Sequence, residues 1–289
     1  MAARVVITGA AGQLGSALRQ VLSNDKEIIP TDTDLSDEEI VPCDITSEHQ
    51  VREVIQASRP AVIINTAAFT DVDGNERDPE KADLVNTKGV EYLLTAADEV
   101  DARFIQVSTD YVFDGTAGPY LEEDTPAPLS VYGRTKLAAE RLVLERDRHL
   151  IIRTNVLFGP DIHAPASFIR WIVNSLREDE PIRVVDDQVN NPTLTTHLAV
   201  AIKSAIDQHA AGLYHYAGLE FLTRYEFALR IGYHFSLPVH KIAPIATEEL
   251  GQLAPRPLLS GLICSKMKMD LKVRNANVTD ALAEAFPRA

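Results

Sequence analysis

The most restrictive feature of the sequence is a glycine-rich segment near its amino terminus. Thr8-Gly9-Ala10-Ala11-Gly12-Gln13-Leu14-Gly15 follows a short apolar run and opens a stretch with helical periodicity. Glycines at such a turn allow a tight bend, close approach of the backbone to a pyrophosphate, and close packing of helix on strand. The helix N-terminus supplies N–H donors for the phosphates. A GxxGxxG spacing also occurs in plain turns, but the strand before it and the helix after it predict dinucleotide binding at Gly9, Gly12 and Gly15.

Acidic residues follow the next two apolar runs. Asp32 ends the second predicted strand, about twenty residues beyond the loop, where a carboxylate can accept from a ribose 2′-hydroxyl. This favours NAD over NADP, although Asp32 has the alternative interpretation of a turn residue. The predicted cofactor is therefore NAD or NADP. Asp44 and Ile45 come where such folds hold the adenine, and we predict that they contact it.

The first half of the chain alternates short β-branched runs with helical periodicity. The predicted strands are Val5–Thr8, Ile28–Thr31, Ala61–Asn65, Arg103–Val107 and Leu150–Arg153. The predicted helices are Gln13–Leu22, Glu48–Ala57, Glu80–Glu99 and Tyr132–Arg146. This alternation is typical of an α/β protein with a doubly wound parallel sheet covered by helices on both faces.

The alternation weakens in the second half. We predict a loop over 161–165, a helix over 166–177, a strand at Ile182–Val185, a helix over 196–208 and a strand over 212–216. The segment 182–216 is expected to return to the sheet. We predict a dinucleotide-binding domain of residues 1–158, and a smaller, mainly helical carboxyl-terminal substrate lobe formed by 159–181 and 217–289.

Composition excludes several classes of partner. A net charge of −14 and a pI near 5.0 leave no broad positive field for a nucleic acid or an anionic membrane. Nothing in the sequence resembles a signal peptide or an apolar run of ~20 residues. Cys43 and Cys264 have no metal-ligand spacing and are expected to be free thiols. We expect a cytoplasmic protein with no metal site.

A candidate catalytic pair lies at the start of the fourth predicted helix. Tyr132 and Lys136 are four residues apart, on one face of a helical turn. A nearby cation favours the phenolate, so the pair can exchange a proton with a carbonyl oxygen. Thr109, at the carboxyl end of the fourth strand, is placed to hold that carbonyl. Each feature alone is also compatible with an ordinary surface or turn; their order along the chain predicts Thr109, Tyr132 and Lys136 as catalytic.

Several segments together carry a family resemblance. They are TGAAGQLG, NTAAFTDVD, STDYVFDG, PLSVYGRTK, DQxxNPT and RPxxS. They resemble the extended short-chain dehydrogenase/reductases, and among these the dTDP-4-dehydrorhamnose reductases. The resemblance implies a Rossmann domain and NAD(P)H-dependent reduction of a 4-keto-6-deoxy nucleotide sugar. It further implies cofactor contacts from Gly9, Gln13, Leu14, Asp44, Ala67, Ala68, Thr70, Tyr132 and Lys136, and places Asp110, Tyr111 and Val112 near the sugar.

Two departures from the family pattern concern the substrate and the oligomer. Val156 stands where these reductases commonly have a tryptophan that packs on the sugar, and it offers less area for stacking. Ser16 and Ala17 replace a region that carries a metal-binding glutamate at a dimer interface in some members. We therefore expect a monomer or a metal-independent homodimer.

Two further residues are assigned to the substrate. Asn155 adjoins Val156, and Arg256 opens the RPxxS segment. An arginine fork suits a diphosphate, although a solvated surface arginine is an equally good interpretation of Arg256.

Other functions remain compatible with these motifs. Dehydration is disfavoured because Asp110 is followed by Tyr111, whereas sugar dehydratases typically carry an Asp-Glu pair. A nucleotide-sugar epimerase needs only transient oxidation and stays an alternative. A non-catalytic dinucleotide-binding subunit, such as the regulatory subunit of methionine adenosyltransferase, is the other; Val156 favours it and the Tyr132–Lys136 pair argues against it.

Overall fold

A computed structural model describes residues 3–160 and 167–287. Its strands are β1 (Ala3–Thr8), β2 (Lys26–Asp32), β3 (Val41–Pro42), β4 (Val62–Asn65), β5 (Arg103–Thr109), β6 (Leu150–Thr154), β7 (Leu157–Phe158), β8 (Ile182–Val185), β9 (Val189–Asn190), β10 (Thr193–Leu194), β11 (Gly212–His215), β12 (Leu222–Thr223) and β13 (Ile242–Ile245). Its α-helices are α1 (Gln13–Leu22), α2 (Glu48–Ser58), α3 (Val72–Arg77), α4 (Pro79–Asp83), α5 (Gly89–Glu99), α6 (Val131–Leu144), α7 (Phe168–Arg177), α8 (Thr195–Asp207), α9 (Arg224–His234), α10 (Ser265–Leu271) and α11 (Val278–Ala285).

A seven-stranded parallel sheet forms the centre of the molecule. Its strand order is β11-β6-β5-β4-β1-β2-β3, with β1 paired to β2 on one side and to β4 on the other. The chain thus winds outward from β1 in one direction and from β4 in the other. The predicted doubly wound α/β fold is confirmed. In such sheets a ligand crevice opens beyond the carboxyl ends of the strands at the point of reversal, which here lies between β1 and β4.

Alternate side chains of the central strands enter two different cores. Val5 and Ile7 of β1 face the core beneath α1 and α8, whereas Val6 faces the core beneath α2 and α5. Strands buried on both faces explain the continuous apolar runs in the sequence.

The second half of the chain departs from the prediction at one strand. Gly212–His215 joins the sheet beside β6, but Ile182–Val185 does not return to it. β8 pairs with β13 in a separate two-stranded sheet, because its buried face packs with α7 and α9 in a third apolar core. Periodicity identified the strand, but it carries no information about the pairing partner.

The smaller lobe is built around that third core, which contains residues of α7, α9 and α11. Helix α10 behaves differently, since its Met267 and Leu271 pack into the core of the large sheet. Division of the chain into two lobes at our predicted boundaries stays a proposal. The predicted loop 161–165, and Ala166 at the start of the predicted helix, lie outside the described residues. Within 3–160 and 167–287, no helix has the length and apolar content needed to cross a membrane.

The helix predicted over Glu80–Glu99 is interrupted. Leu84–Lys88 forms a π-helical turn between α4 and α5. Such wide turns expose a different face of the helix and are frequent near functional sites. Helix α3, immediately before α4, is too short for its periodicity to be recognised in the sequence.

A buried ion pair ties α6 to β6. Both carboxylate oxygens of Glu140 accept from the Arg153 guanidinium, at 2.9 and 2.7 Å, and both side chains are almost fully buried. The Arg153 guanidinium also lies over the Phe113 ring, 5.0 Å from its centroid. The pair therefore fixes the helix that carries Tyr132 and Lys136 against the strand beside β5.

We expect Glu140→Ala to reduce the free energy of unfolding by about 3–5 kcal/mol, because it leaves the buried Arg153 charge uncompensated. Urea titration followed by circular dichroism measures the change. Glu91→Ala, which removes an exposed pair with Lys88, is the control and should leave the midpoint unchanged. A loss below about 1 kcal/mol for Glu140→Ala would show that the pair does not anchor α6.

Candidate active site

The glycine loop leaves β1 at the point where the strand order reverses. Gly9 has φ +70°, a conformation that favours glycine, and a Cβ there would lie 2.6 Å from the Ala67 nitrogen. At Gly15 a Cβ would lie 2.2 Å from the Gly9 carbonyl oxygen, so α1 packs directly on the turn. Gly12 is the N-cap of α1. Because glycine has no side chain, no capping group covers the N-terminus of this helix. This cradle, which any Cβ at Gly9 or Gly15 would fill, fits a dinucleotide pyrophosphate.

The other predicted pyrophosphate contacts lie on the first turn of α1. Gln13 is half-buried at the first position of the helix, whereas Leu14 is buried in the core beneath the sheet. Leu14 can therefore contact a cofactor through its backbone N–H, while its side chain holds the helix in place.

Asp32 closes the loop from the side of β2. Its carboxylate accepts from the backbone N–H groups of Ala11 at 2.9 Å, Thr33 at 2.7 Å and Asp34 at 3.1 Å. Asp32 is therefore compatible with both interpretations. It forms a turn with Thr33 and Asp34, and it lies beside the glycine loop at the end of β2. A carboxylate at this position repels a 2′-phosphate and can accept a hydrogen bond from a ribose 2′-hydroxyl.

The predicted adenine contacts follow β3. The Asp44 carboxylate accepts from the backbone nitrogen and the hydroxyl of Thr46, at 2.9 and 2.8 Å. Ile45 is buried in the core beneath α5, where its side chain lies against Gly89. Ile45 thus packs the core, and the half-buried Asp44 lies just beyond the carboxyl end of β3.

The remaining predicted cofactor contacts follow β4. Ala67 and Ala68 are half-buried and Thr70 is exposed. Thr66 fixes this turn, since its hydroxyl donates to the Thr8 carbonyl at 2.6 Å. The two turns after β1 and β4 are therefore joined at the crevice.

Thr109 ends β5 with its side chain fully engaged. Its hydroxyl donates to Asp110 Oδ1 at 3.1 Å and accepts from the backbone N–H of Tyr111 at 3.2 Å. Asp110 is 3% exposed, and its other carboxylate oxygen accepts from the Ser260 hydroxyl. Burial raises the pKa of Asp110 to about 6, against the opposing effect of its hydrogen bonds.

Tyr132 and Lys136 face this threonine from the first turns of α6. Tyr132 makes an edge-to-face contact with Tyr111, with ring centroids 5.6 Å apart. Burial raises the pKa of Tyr132 and a hydrogen bond with Thr109 opposes the rise. Lys136 is 4% exposed and its ammonium donates to the Val107 carbonyl at 2.8 Å. Burial lowers the pKa of Lys136 to about 8, so the side chain is still mainly charged at neutral pH.

Close packing fixes the orientation of α6. A Cβ at Gly133 would lie 2.2 Å from the Tyr111 carbonyl oxygen, so only glycine lets the helix approach the loop after β5. Asn86, in the π-helical turn, donates to the Thr135 hydroxyl at 3.3 Å. The backbone nitrogen of Val131 donates to Glu76 of α3 at 2.7 Å. The interrupted helix and the unpredicted α3 therefore hold α6, the helix that carries Tyr132 and Lys136, in place.

The predicted substrate residues are not all open to a ligand. Tyr111 is half-buried against Tyr132, whereas Val112 is fully buried in a small core with Phe113 and Leu137. Asn155 lies just beyond β6, beside the Thr109 end of β5, and its Nδ2 donates to Asn191. No donor or acceptor among the described residues reaches the buried Asn155 Oδ1.

Arg256, in the carboxyl-terminal part of the chain, forms an ion pair with Asp73 of α3. Its guanidinium donates to Asp73 Oδ1 at 2.8 Å and to the Ala254 carbonyl at 2.7 Å. Its side chain is 11% exposed, so it is not the solvated surface arginine of the alternative interpretation. Arg224, at the start of α9, is a second cation near the site, and its charge acts on Asp110 and Tyr111.

Sequence reasoning gave no role to Arg224 or to Ser260, the last residue of the RPxxS segment, and it missed a buried polar chain across the strand ends. In that chain the Thr8 hydroxyl donates to Asn65, and Asn65 donates to Gln106, at 2.6 and 2.9 Å. Gln106 in turn donates to the Val107 carbonyl, which also accepts from Lys136. The only signal in the sequence was a polar residue at one position of an otherwise apolar strand.

Val156 has φ +42°, which is rare for a β-branched residue. Its carbonyl accepts from the Thr193 nitrogen at 3.0 Å, and its side chain packs against the core of the small lobe. The residue that departs from the family pattern thus forms part of the packing between β6 and the small lobe.

We expect Gly15→Ala to weaken NAD(H) or NADP(H) binding by at least about tenfold, the effect of ~1.4 kcal/mol. The added methyl group would displace the Gly9 carbonyl and distort the cradle. Fluorescence titration with each reduced dinucleotide measures the affinity. The neighbouring Ser16→Ala is a matched control on the same helix and should bind normally; equal affinity in both variants would contradict the assignment of the cradle.

The comparisons with known proteins agree with this geometry. The family model described as "RmlD substrate binding domain" matches residues 3–289. The chain is 33% identical to the dTDP-4-dehydrorhamnose reductase of Aggregatibacter actinomycetemcomitans over 97% of each chain. It is 32% identical to methionine adenosyltransferase 2 subunit beta of Danio rerio, over 98% of this chain and 90% of that protein. The structure of dTDP-4-dehydrorhamnose reductase from Bacillus anthracis in complex with NADP superposes with a TM-score of 0.91, at 34% identity over 99% of both chains. The predicted resemblance is confirmed, and the chain belongs to the RmlD substrate binding domain family.

Proposed function

We propose that this protein is an NAD(P)H-dependent reductase of a 4-keto-6-deoxy nucleotide sugar, of the kind used to make dTDP-rhamnose and related sugar nucleotides. The observation that carries the proposal is the convergence of Thr109, Tyr132 and the buried Lys136 at the carboxyl edge of the sheet, beside a glycine cradle. The family membership and the relatives named as reductases support the same reaction.

The site residues divide the reaction between them. Bound NADH or NADPH supplies the hydride that reaches the carbonyl carbon. Tyr132 donates its phenolic proton to the carbonyl oxygen; its raised pKa keeps it protonated at neutral pH. Thr109 orients the carbonyl oxygen. The Lys136 ammonium, held by the Val107 carbonyl, stabilises the phenolate that remains.

The substrate assignment rests on the segments after β5 and β6 and on two arginines of the small lobe. We propose that Asp110, Tyr111, Val112 and Asn155 lie against the sugar, with Val112 contributing through its backbone. Arg256 and Arg224 supply cations for the diphosphate, and Arg256 would exchange Asp73 for a phosphate oxygen on binding. The charge of −14 supports a small-molecule substrate over a nucleic acid.

The assembly and the compartment belong to the proposal as well. We propose a monomer or a metal-independent homodimer, since Ser16 and Ala17 offer no metal ligand on α1. We propose a cytoplasmic location, which the free thiols of Cys43 and Cys264 support.

A second candidate function is a non-catalytic regulatory subunit. It is favoured by the 32% identity to methionine adenosyltransferase 2 subunit beta over nearly the whole chain, and by an apolar β-branched residue at Val156. The two functions differ in turnover, because a regulatory subunit needs the dinucleotide fold but no proton donor.

The deciding experiment mixes the purified protein with NADH or NADPH and dTDP-4-keto-6-deoxy sugar, and follows the loss of reduced-cofactor absorbance. We expect stoichiometric consumption of at least one cofactor and formation of the 4-hydroxy sugar nucleotide. Epimerisation without net consumption would support an epimerase. No change in substrate or cofactor, together with capture of a stable methionine adenosyltransferase complex, would replace the reductase with the regulatory subunit.

We expect Tyr132→Phe to retain dinucleotide affinity and to lose about 10²–10⁴-fold in kcat, since it removes only the proton donor. Single-turnover kinetics and a cofactor titration measure the two quantities. Tyr92→Phe, on α5, removes a phenolic hydroxyl away from the site and should be unaffected. Undiminished turnover of Tyr132→Phe would identify a different proton donor.

A further inference from the structure

Asp110 is a buried carboxyl group between the catalytic threonine and the small lobe. Its Oδ1 accepts from the Thr109 hydroxyl, and its Oδ2 accepts from the Ser260 hydroxyl. Asp110 is 3% exposed and Ser260 is 2% exposed. Neither the family resemblance nor the proposed mechanism gives Ser260 a part in the reaction.

The hydrogen bond between Thr109 and Asp110 determines whether Thr109 can donate to a substrate. A hydroxyl carries one proton, and while Asp110 is ionised that proton is donated to Oδ1. The Tyr111 N–H occupies one of the two lone pairs of the Thr109 oxygen. In this state Thr109 has no proton left to donate to a substrate carbonyl.

Protonation of Asp110 reverses the direction of the bond. A neutral carboxyl has one O–H donor, and its other oxygen remains an acceptor. Because Oδ2 already accepts from Ser260, the proton of Asp110 is directed to Oδ1, where it is donated to Thr109. The proton of Thr109 is then free for the carbonyl oxygen of a ketone.

Backbone hydrogen bonds hold the segment that carries Ser260 in place. Its backbone nitrogen donates to the Val189 carbonyl at 3.0 Å, which pairs the segment with β9. The preceding Leu259 nitrogen donates to the Gly115 carbonyl at 3.0 Å, in the loop that follows β5. The hydroxyl therefore approaches Asp110 from a fixed position on the carboxyl-terminal part of the chain.

We propose that Ser260 and Asp110 are positioning residues that set the donor direction of the Thr109 hydroxyl, with protonated Asp110 as the reductive state. The proposal rests on the proposed function, because it assigns the direction that a ketone substrate requires. It explains why an acidic side chain is buried directly after the catalytic threonine.

The charges around Asp110 determine the pH range. Burial raises the pKa of Asp110 to about 6, while the hydroxyls of Ser260 and Thr109 and the Arg224 charge lower it. The phenols of Tyr111 and Tyr132 also face the group, and the Arg256 charge acts on Tyr111. The reductive state is thus populated below about pH 6 and lost as the pH rises. Removing the Ser260 hydroxyl takes away a stabiliser of the carboxylate, and so shifts this loss to higher pH.

The test compares kcat/KM for ketone reduction between pH 5 and 8 in wild type, S260A and D110N. We expect the wild-type value to fall about tenfold per pH unit above the pKa of Asp110, as for a single essential acid. The fall should begin at higher pH in S260A and be absent in D110N, whose amide can donate to Thr109 permanently. An unshifted fall in S260A, or the same fall in D110N, would overturn the proposal.

A second readout does not depend on turnover. Titration of ¹³C-labelled aspartate carboxyls by NMR should show one resonance with a pKa near 6 that is missing in D110N and shifted upward in S260A. Ser36→Ala, an exposed serine far along the chain, is the control and should leave that resonance unchanged. If the wild-type protein shows this titration but does not reduce the ketone, the proposed function alone is rejected. If the Asp110 carboxyl titrates below pH 4, the positioning role is rejected. D110N retains the side-chain volume and carries the test if S260A does not fold.

Discussion

Parallel strand pairing is the constraint on which the site depends. Because all seven strands of the central sheet run in one direction, the turns after β1 and β4 and the end of β5 meet at a single edge. The glycine loop, the Ala67 turn and Thr109 are far apart in the sequence, yet they face the same crevice. A strand reversed at any of these positions would move its residues to the opposite edge of the sheet.

Burial at that edge shifts the pKa values of the polar side chains. Lys136 and Asp110 are both withdrawn from water, and burial lowers the pKa of the first and raises that of the second. Each is kept in place by partners: the Val107 carbonyl for Lys136, and two hydroxyls for Asp110. The same backbone carbonyl also receives Gln106, which links the lysine to the polar chain leading back to β1. The proposed catalytic lysine and the structural polar groups are thus connected through one backbone carbonyl.

Local patterns predicted the parts of the fold that are locally determined. The first five predicted strands and the helices α1, α2 and α6 were found within a few residues of their observed bounds, since apolar periodicity and glycine turns act over short distances. The π-helical turn at Leu84–Lys88 was not predicted, because a single inserted residue leaves the helical periodicity almost intact. The pairing of β8 with β13 was not predicted either, because pairing depends on which core receives the buried face.

The sequence by itself determined the doubly wound fold, and it predicted the dinucleotide loop and the Tyr132–Lys136 pair. Those conclusions follow from residue type and spacing within single strand-to-helix units. Only the tertiary structure decided that Arg256 pairs with Asp73, that Val112 is inside the core, and that Ser260 reaches Asp110 across 150 residues. These contacts join segments distant in the chain, and their geometry is fixed by how the small lobe packs on the sheet.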